Sequence, residues 1–453
     1  MQTQLAPEFK GTPDGDEAEA ILRKCVHCGF CTATCPTYQI LGDELDGPRG
    51  RIYLMKQMLE GGMVTRSTQI HLDRCLTCRN CETTCPSGVQ YGNLVEIGRR
   101  IVETKVARPA GERAVRWLLK EGLTSPLFAP AMKVGQALRP LLPAALKHKV
   151  PAATSTAPRA HRWPTRSHPR KVLMLMGCVQ PAMMPNINSA TARVLDAAGI
   201  QTLVADEAGC CGAIRLHLND HAGGLADMRR NIDAWWPLVE GLTDQGPVEA
   251  IVMNASGCGV TVKEYGHALA NDPAYAEKAR RIASRTVDLS ELLPDLVPTL
   301  RQRLGMAATA GSEGRTAPAV QPPPLVSGGA ARPGGGLAVP TSGPVRQRLA
   351  FHPPCTLQHG QQLRGGVEKH LAALGFEVQV ALREGHLCCG SAGTYSVLQP
   401  EMATTLRDRK LEHLAHLEPE VIVSANIGCI QHLQSGTTTP VRHWIEVLDE
   451  ALG

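Results

Sequence analysis

All sixteen cysteines of this 453-residue chain fall into repeating sets, with none left over. Cys25, Cys28, Cys31 and Cys35 are followed by Pro36; further on, Cys75, Cys78, Cys81 and Cys85 are followed by Pro86. Both runs read C-x2-C-x2-C-x3-C-P, a spacing that wraps 4Fe–4S clusters. Three thiolates a short loop apart reach three irons of one cube. The fourth, set off by a longer step and a proline, turns toward the other cluster. The spacing therefore predicts Cys25, Cys28, Cys31 and Cys85 around cluster 1, and Cys75, Cys78, Cys81 and Cys35 around cluster 2. Tetrahedral zinc is the alternative, but zinc sites use two separated cysteine pairs rather than runs of four. Disulfides fit less well. The N-terminal stretch MQTQLAPEFKGTPDGDEAEA is polar and acidic, without the apolar segment of an export signal, so a cytoplasmic setting is expected.

The other eight cysteines mark an internal repeat that begins near residue 171. An apolar strand leads to Cys178, a strand after a helix leads to Cys210-Cys211-Gly212, and a third leads to Cys258. The same order returns with Cys355, Cys388-Cys389-Gly390 and Cys429; corresponding cysteines lie 177, 178, 178 and 171 positions apart. Strand–helix alternation of this kind predicts a parallel sheet with crossover helices. Each unit then gathers four thiols at strand ends, where open α/β sheets place their sites. The glycine after each cysteine pair allows close backbone approach, as a cluster or ligand would require. Inert core packing is the competing account for a single cysteine, but it sits poorly with vicinal pairs at matched positions.

Residues 1–115 read as a small helical unit around two clusters, with helices over Glu17–Lys24, from Pro48 through Leu59, and over Asn93–Lys105. Arg49, Arg51, Arg74 and Arg79 lie near the cysteines and could donate to cluster sulfurs, although exposure is the commoner fate of arginine. Residues 116–170 form a basic, proline-containing connector, with no acidic residue between Glu121 and Asp196. It reads either as a solvated segment or as a surface for a partner subunit or an anionic membrane face. Residues 171–302 and 347–453 are the two repeat modules. Residues 303–346, dense in Gly, Pro, Ala and Ser, are expected to be a disordered linker. The fold class is thus multidomain α+β.

Composition removes several classes. Aromatic residues make up 4% of the chain and the net charge is only +5, which argues against a nucleic-acid partner. No apolar run is long enough to span a bilayer. No G-x-G-x-x-G follows a strand, so the chain is not expected to bind its own flavin or nicotinamide. No catalytic triad or metal-hydrolase motif stands out.

The paired runs plus two Cys-Cys-Gly (CCG) repeats resemble a family of iron–sulfur subunits. It includes subunits of glycolate oxidase, of an anaerobic glycerol-3-phosphate dehydrogenase and of heterodisulfide reductase. The stretch LRKCVHCGFCTATCPTYQILGDELDGPRGRIYLMKQ is most similar to the glycolate oxidase members. The resemblance implies a helical ferredoxin domain followed by two CCG modules and two 4Fe–4S clusters; the cofactor of the CCG cysteines stays open, with an additional cluster or metal favoured in at least one set over empty thiols. It also implies flavin-containing partner subunits that oxidise glycolate to glyoxylate, a quinone acceptor, and peripheral contact with the inner face of the cell membrane. Lactate and glycerol-3-phosphate systems share the design and stand as alternatives. Heterodisulfide chemistry is the third; there each CCG motif ends in C-x-x-C, whereas Thr261 and His432 occupy the last position here.

Overall fold

The computed structural model describes residues 1–141, 150, 162–306 and 347–453. The expected linker therefore lies outside the described residues from 307 onward, and so does most of 142–161. Arg303 itself closes helix Leu293–Arg303.

The N-terminal unit is helical, as its pattern predicts. Helix Pro13–Lys24 starts four residues before the expected Glu17. The Thr12 hydroxyl accepts from the Gly15 N–H, Pro13 supplies a preset φ, and Asp14 and Asp16 complement the helix dipole. Helix Pro48–Leu59 opens on a proline, and Tyr91–Lys105 runs behind the second cysteine loop. Ile21, Leu22, Met55, Leu59, Leu72, Leu94 and Val95 fill one shared core.

Each repeat module is a four-stranded parallel sheet. The first comprises β1 (Arg170–Met174), β2 (Ile200–Leu203), β3 (Ala250–Met253) and β4 (Thr286–Asp288). The second comprises β5 (Arg348–His352), β6 (Glu377–Val380), β7 (Val421–Ser424) and β8 (Val441–His443). The orders are β2-β1-β3-β4 and β6-β5-β7-β8. β3 and β7 are buried throughout, as central parallel strands are. The outer strands β4 and β8 were not foreseen, because three residues are too short to declare a period of two.

The modules pack about a pseudo-twofold. Helix Asn186–Ala197 of the first lies on helix Trp444–Leu452 of the second, and Leu293–Arg303 lies on Gly366–Ala373. Both sheets contribute to one core through Val172, Val252, Phe351, Val423 and Val441. The seam is also polar. Arg193 bonds Asp449 at 2.7 Å, and the Ser256 N–H donates to the Ala425 carbonyl at 3.0 Å.

The boundary expected at 115/116 falls inside helix Ala110–Thr124. Arg108 and Arg116, on either side of it, both pair with the nearly buried Asp73 of the N-terminal unit. Further along the same helix, Glu121 bonds Arg215 of the first module at 3.0 Å. The start of the connector is thus a strut between domains rather than a loose segment.

Candidate metal centres

In the first cysteine loop the chain turns through His27 at φ 55° and Gly29 at φ 83°; in the second it turns through Thr77 at φ 51° and Arg79 at φ 57°. Left-handed backbone at three non-glycine residues is costly, by roughly 1–2 kcal/mol each. It persists where surrounding structure enforces it and is typical of functional loops. The result is two concave loops with matching shapes, and the Thr77 N–H points at Cys75 Sγ, 3.4 Å away.

The fourth cysteine of each run crosses over. Cys25, Cys28, Cys31 and Cys85 line one apolar cavity with Pro48, Ile52 and Pro86, and Cys81 of the second loop borders it too. Burial and the neighbouring Cys25 push the Cys31 thiol up to about 11. Cys35 joins the other set, where burial and nearby cysteines raise the thiols of Cys78 and Cys81. Thiols that resist ionisation as neighbours gain stability by sharing cations, so the donor chemistry of both sets fits a 4Fe–4S cluster.

Arginines support the loops rather than the sulfurs. Arg51 is buried, contrary to the exposure expected for it, and donates to the His71 carbonyl at 2.7 Å and to Asp46 at 3.3 Å. Arg74 and His71 also meet the fully buried Asp46. The network reaches Cys35 through the Thr37 hydroxyl, 3.2 Å from the sulfur. Arg49 pairs with Glu44, and Arg79 with Glu264 of the first module.

The later cysteines gather as two further sets. Cys178, Cys210, Cys211 and Cys258 lie close enough to shift one another's ionisation. Cys355, Cys388, Cys389 and Cys429 do the same. Cys210, beside Cys178 and Cys211, is held well below the ordinary thiol value. All sixteen cysteines are free thiols. The glycines after the pairs have a different use from the one expected. A Cβ on Gly390, at φ +90°, would stand 2.4 Å from the Ala403 carbonyl, so the close approach is to a helix rather than to a ligand.

The sets lie near one another. Cys78 of the second ferredoxin loop sits beside Cys355 and Cys388. Tyr395 closes this contact by donating to the Arg74 carbonyl at 3.1 Å. Between the modules, Asn426 donates to Cys429 Sγ at 3.9 Å and borders Gly257, next to Cys258. The two residues at the position of a fifth cysteine are already engaged. Thr261 donates to the Gly257 carbonyl, and His432 Nε2 lies 3.0 Å from the Ala403 carbonyl. Sequence reasoning missed His352, at the end of β5, whose ring lies with Cys389 and Cys429. The only signal was its place three residues before Cys355.

Residues 21–89 match the 4Fe-4S dicluster domain family, and residues 172–263 and 349–434 match the cysteine-rich CCG domain family. The chain is 52% identical to the glycolate oxidase iron-sulfur subunit of Escherichia coli (strain K12), over all of this chain and 99% of that one. It is 27% identical to the probable glycolate oxidase iron-sulfur subunit of Bacillus subtilis (strain 168), over 99% and 97%. A lactate utilization protein A of Geobacillus thermodenitrificans is 25% identical over 62% of this chain and 98% of its own.

Proposed function

The chain belongs to the family of glycolate oxidase iron–sulfur subunits, and on that premise we propose that it takes electrons from flavin-containing partner subunits and passes them toward a quinone. The partners would oxidise glycolate to glyoxylate, a two-electron step whose hydride a flavin accepts. Bound 4Fe–4S clusters supply one-electron steps. The residues of this chain hold them: Cys25, Cys28, Cys31 and Cys85 the first, Cys75, Cys78, Cys81 and Cys35 the second. The observation that carries the reading is that Cys85 lies with the first run and Cys35 near the second, an arrangement that would set two one-electron carriers side by side.

The two carriers differ in access. Cys28 is exposed, flanked by exposed Val26 and Phe30. Cys78 is enclosed against Cys355 and Cys388. This supports electron entry at the first cluster and movement inward through the second toward the CCG modules.

Among the described residues no helix is long and apolar enough to cross a membrane. Helices Ala110–Thr124 and Phe128–Ala137 instead carry exposed Trp117, Leu118, Leu127 and Val134, with Lys133 beside them. Apolar side chains edged by basic ones support peripheral contact with the inner, anionic face of the cell membrane.

The test uses anaerobically purified chain. It should carry at least about eight irons and eight sulfides, and Cys28→Ser or Cys78→Ser should each remove about four of each. Alone it should show no glycolate:dye activity, and adding it to the flavin subunits should restore electron flow to quinone. A Cys28→Ser, Cys78→Ser variant with full iron, or glycolate oxidation by this chain alone, would sink the reading.

A further inference from the structure

Among the buried groups that the electron relay leaves unused, one histidine stands apart. His352 ends β5 and is 1% exposed. Neither ring nitrogen has a hydrogen-bond partner among the described residues. A buried imidazole whose two nitrogens both lack a partner has lost its hydration with nothing in return. Its ligand atom, Cys389 Sγ and Cys429 Sγ all lie within 4.8 Å of one another. Two thiols and an imidazole converging on one point in a dry interior form the donor set of a borderline-soft transition metal.

The same module encloses a lysine. Lys410, 2% exposed, donates its Nζ to the Glu384 carbonyl and lies near Cys355, Cys388 and Cys389. The Glu384 carboxylate is taken by Arg409 and His413. Neither feature exists in the first module. The positions that match His352 and Lys410 by the repeat offset are Leu175 and Ile232, both buried and apolar.

We propose that His352 is a nitrogen ligand to an iron- or zinc-containing centre held by Cys389 and Cys429, so that the two CCG sets bind unlike centres, only the second of mixed imidazole–thiolate character. This goes beyond the relay through the ferredoxin loops and does not depend on which substrate feeds it. Thiolate and imidazole together suit both zinc and iron, and the arms of the test separate them.

The test compares the full-length chain with His352→Leu, which reproduces the first module's residue, and with His352→Cys, which keeps a donor. Iron and zinc are counted per chain after anaerobic purification. Nitrogen coupling is read by pulsed electron paramagnetic resonance, directly for an iron centre or after cobalt(II) exchange for zinc. The wild type should hold metal in excess of the roughly eight irons of the dicluster domain, with a histidine nitrogen coupled to it. His352→Leu should lose one centre, or bind it at least about tenfold more weakly, and keep the eight irons. His352→Cys should keep the excess metal and lose the nitrogen coupling. If His352→Leu does not fold, the cysteine variant decides. Nitrogen coupling that survives in His352→Cys, excess metal and spectrum unchanged in His352→Leu, or a wild type with no metal beyond the eight irons would each overturn the proposal. A failed cluster assignment is a separate result, since it lowers the eight irons themselves.

Discussion

At the scale of single residues, buried charge is what holds the cluster loops in shape. Asp46 is wholly enclosed by Arg51, Arg74 and His71. Asp46→Asn would leave the Arg51 guanidinium buried without its counter-charge. The expected cost is about 3–5 kcal/mol, read by urea unfolding. Because Thr37 links this network to Cys35, iron at the second cluster should fall as well. A softer pair is Glu17 with His267 of the first module, 2.9 Å apart. The shared hydrogen bond raises the His267 pKa above its ordinary 6.5 and lowers that of Glu17 below 4.5. The imidazolium contribution is therefore complete below pH 6.5 and is lost as pH rises through the raised value; the carboxylate contribution is complete above 4.5 and is lost as pH falls through the lowered one. His267 is 55% and Glu17 32% exposed, and solvent screening keeps the pair below about 1 kcal/mol. Wild type should melt slightly above His267→Asn near pH 5.5, and the gap should close by about pH 8.5. An equal gap at both pH values would assign the effect to packing.

At the scale of elements, the CCG loops depend on backbone that only glycine adopts cheaply. Gly390 sits at φ +90° against the Ala403 carbonyl, and its counterpart Gly212 sits at φ +94° near the Gly224 carbonyl. Gly390→Ala should cost roughly 1–3 kcal/mol from backbone conformation, with the added clash pushing helix Pro400–Ala415 away. Cys388 and Cys389 precede this point directly, so metal held by the second set should drop in the same preparation. A variant with unchanged urea midpoint and metal content would mean that the loop relaxes freely. The cluster loops solve a similar problem differently. The first uses Gly29, whereas the second accepts Arg79 in the left-handed region and ties its side chain to Glu264.

At the scale of the whole molecule, the order of the domains becomes a gradient of access. The first cluster loop opens to solvent beside Val26 and Phe30, and the second is capped by Cys355 and Cys388 of the second CCG set and by Tyr395. Exposed apolar side chains at a redox edge fit a docking surface for another subunit. Phe30→Glu should leave iron content and melting temperature as they are and slow reduction by the proposed flavin-containing partners about tenfold, through weakened docking. An unchanged rate of reduction in stopped flow would move the entry point elsewhere.

The cysteine spacing by itself marked out which thiols to look for, because C-x2-C loops keep three together and the repeat offset pairs the later sets; the approach of Cys35 and Cys85 to the opposite loop belongs to the tertiary fold. Apolar periodicity likewise made three of the N-terminal helices and six of the strands legible. The two outer strands were hidden by their length, and the extent of helix Ala110–Thr124 by ion pairs to Asp73 and Arg215 that no local pattern records. Arg51 showed nothing in sequence of its buried fate, since Asp46 and His71 reach it from other elements. His352 is the clearest case. In sequence it is a lone histidine at the end of a strand. Only the packing of β5 beside β7 sets its ring against Cys389 and Cys429 and leaves its nitrogens without a hydrogen-bond partner among the described residues.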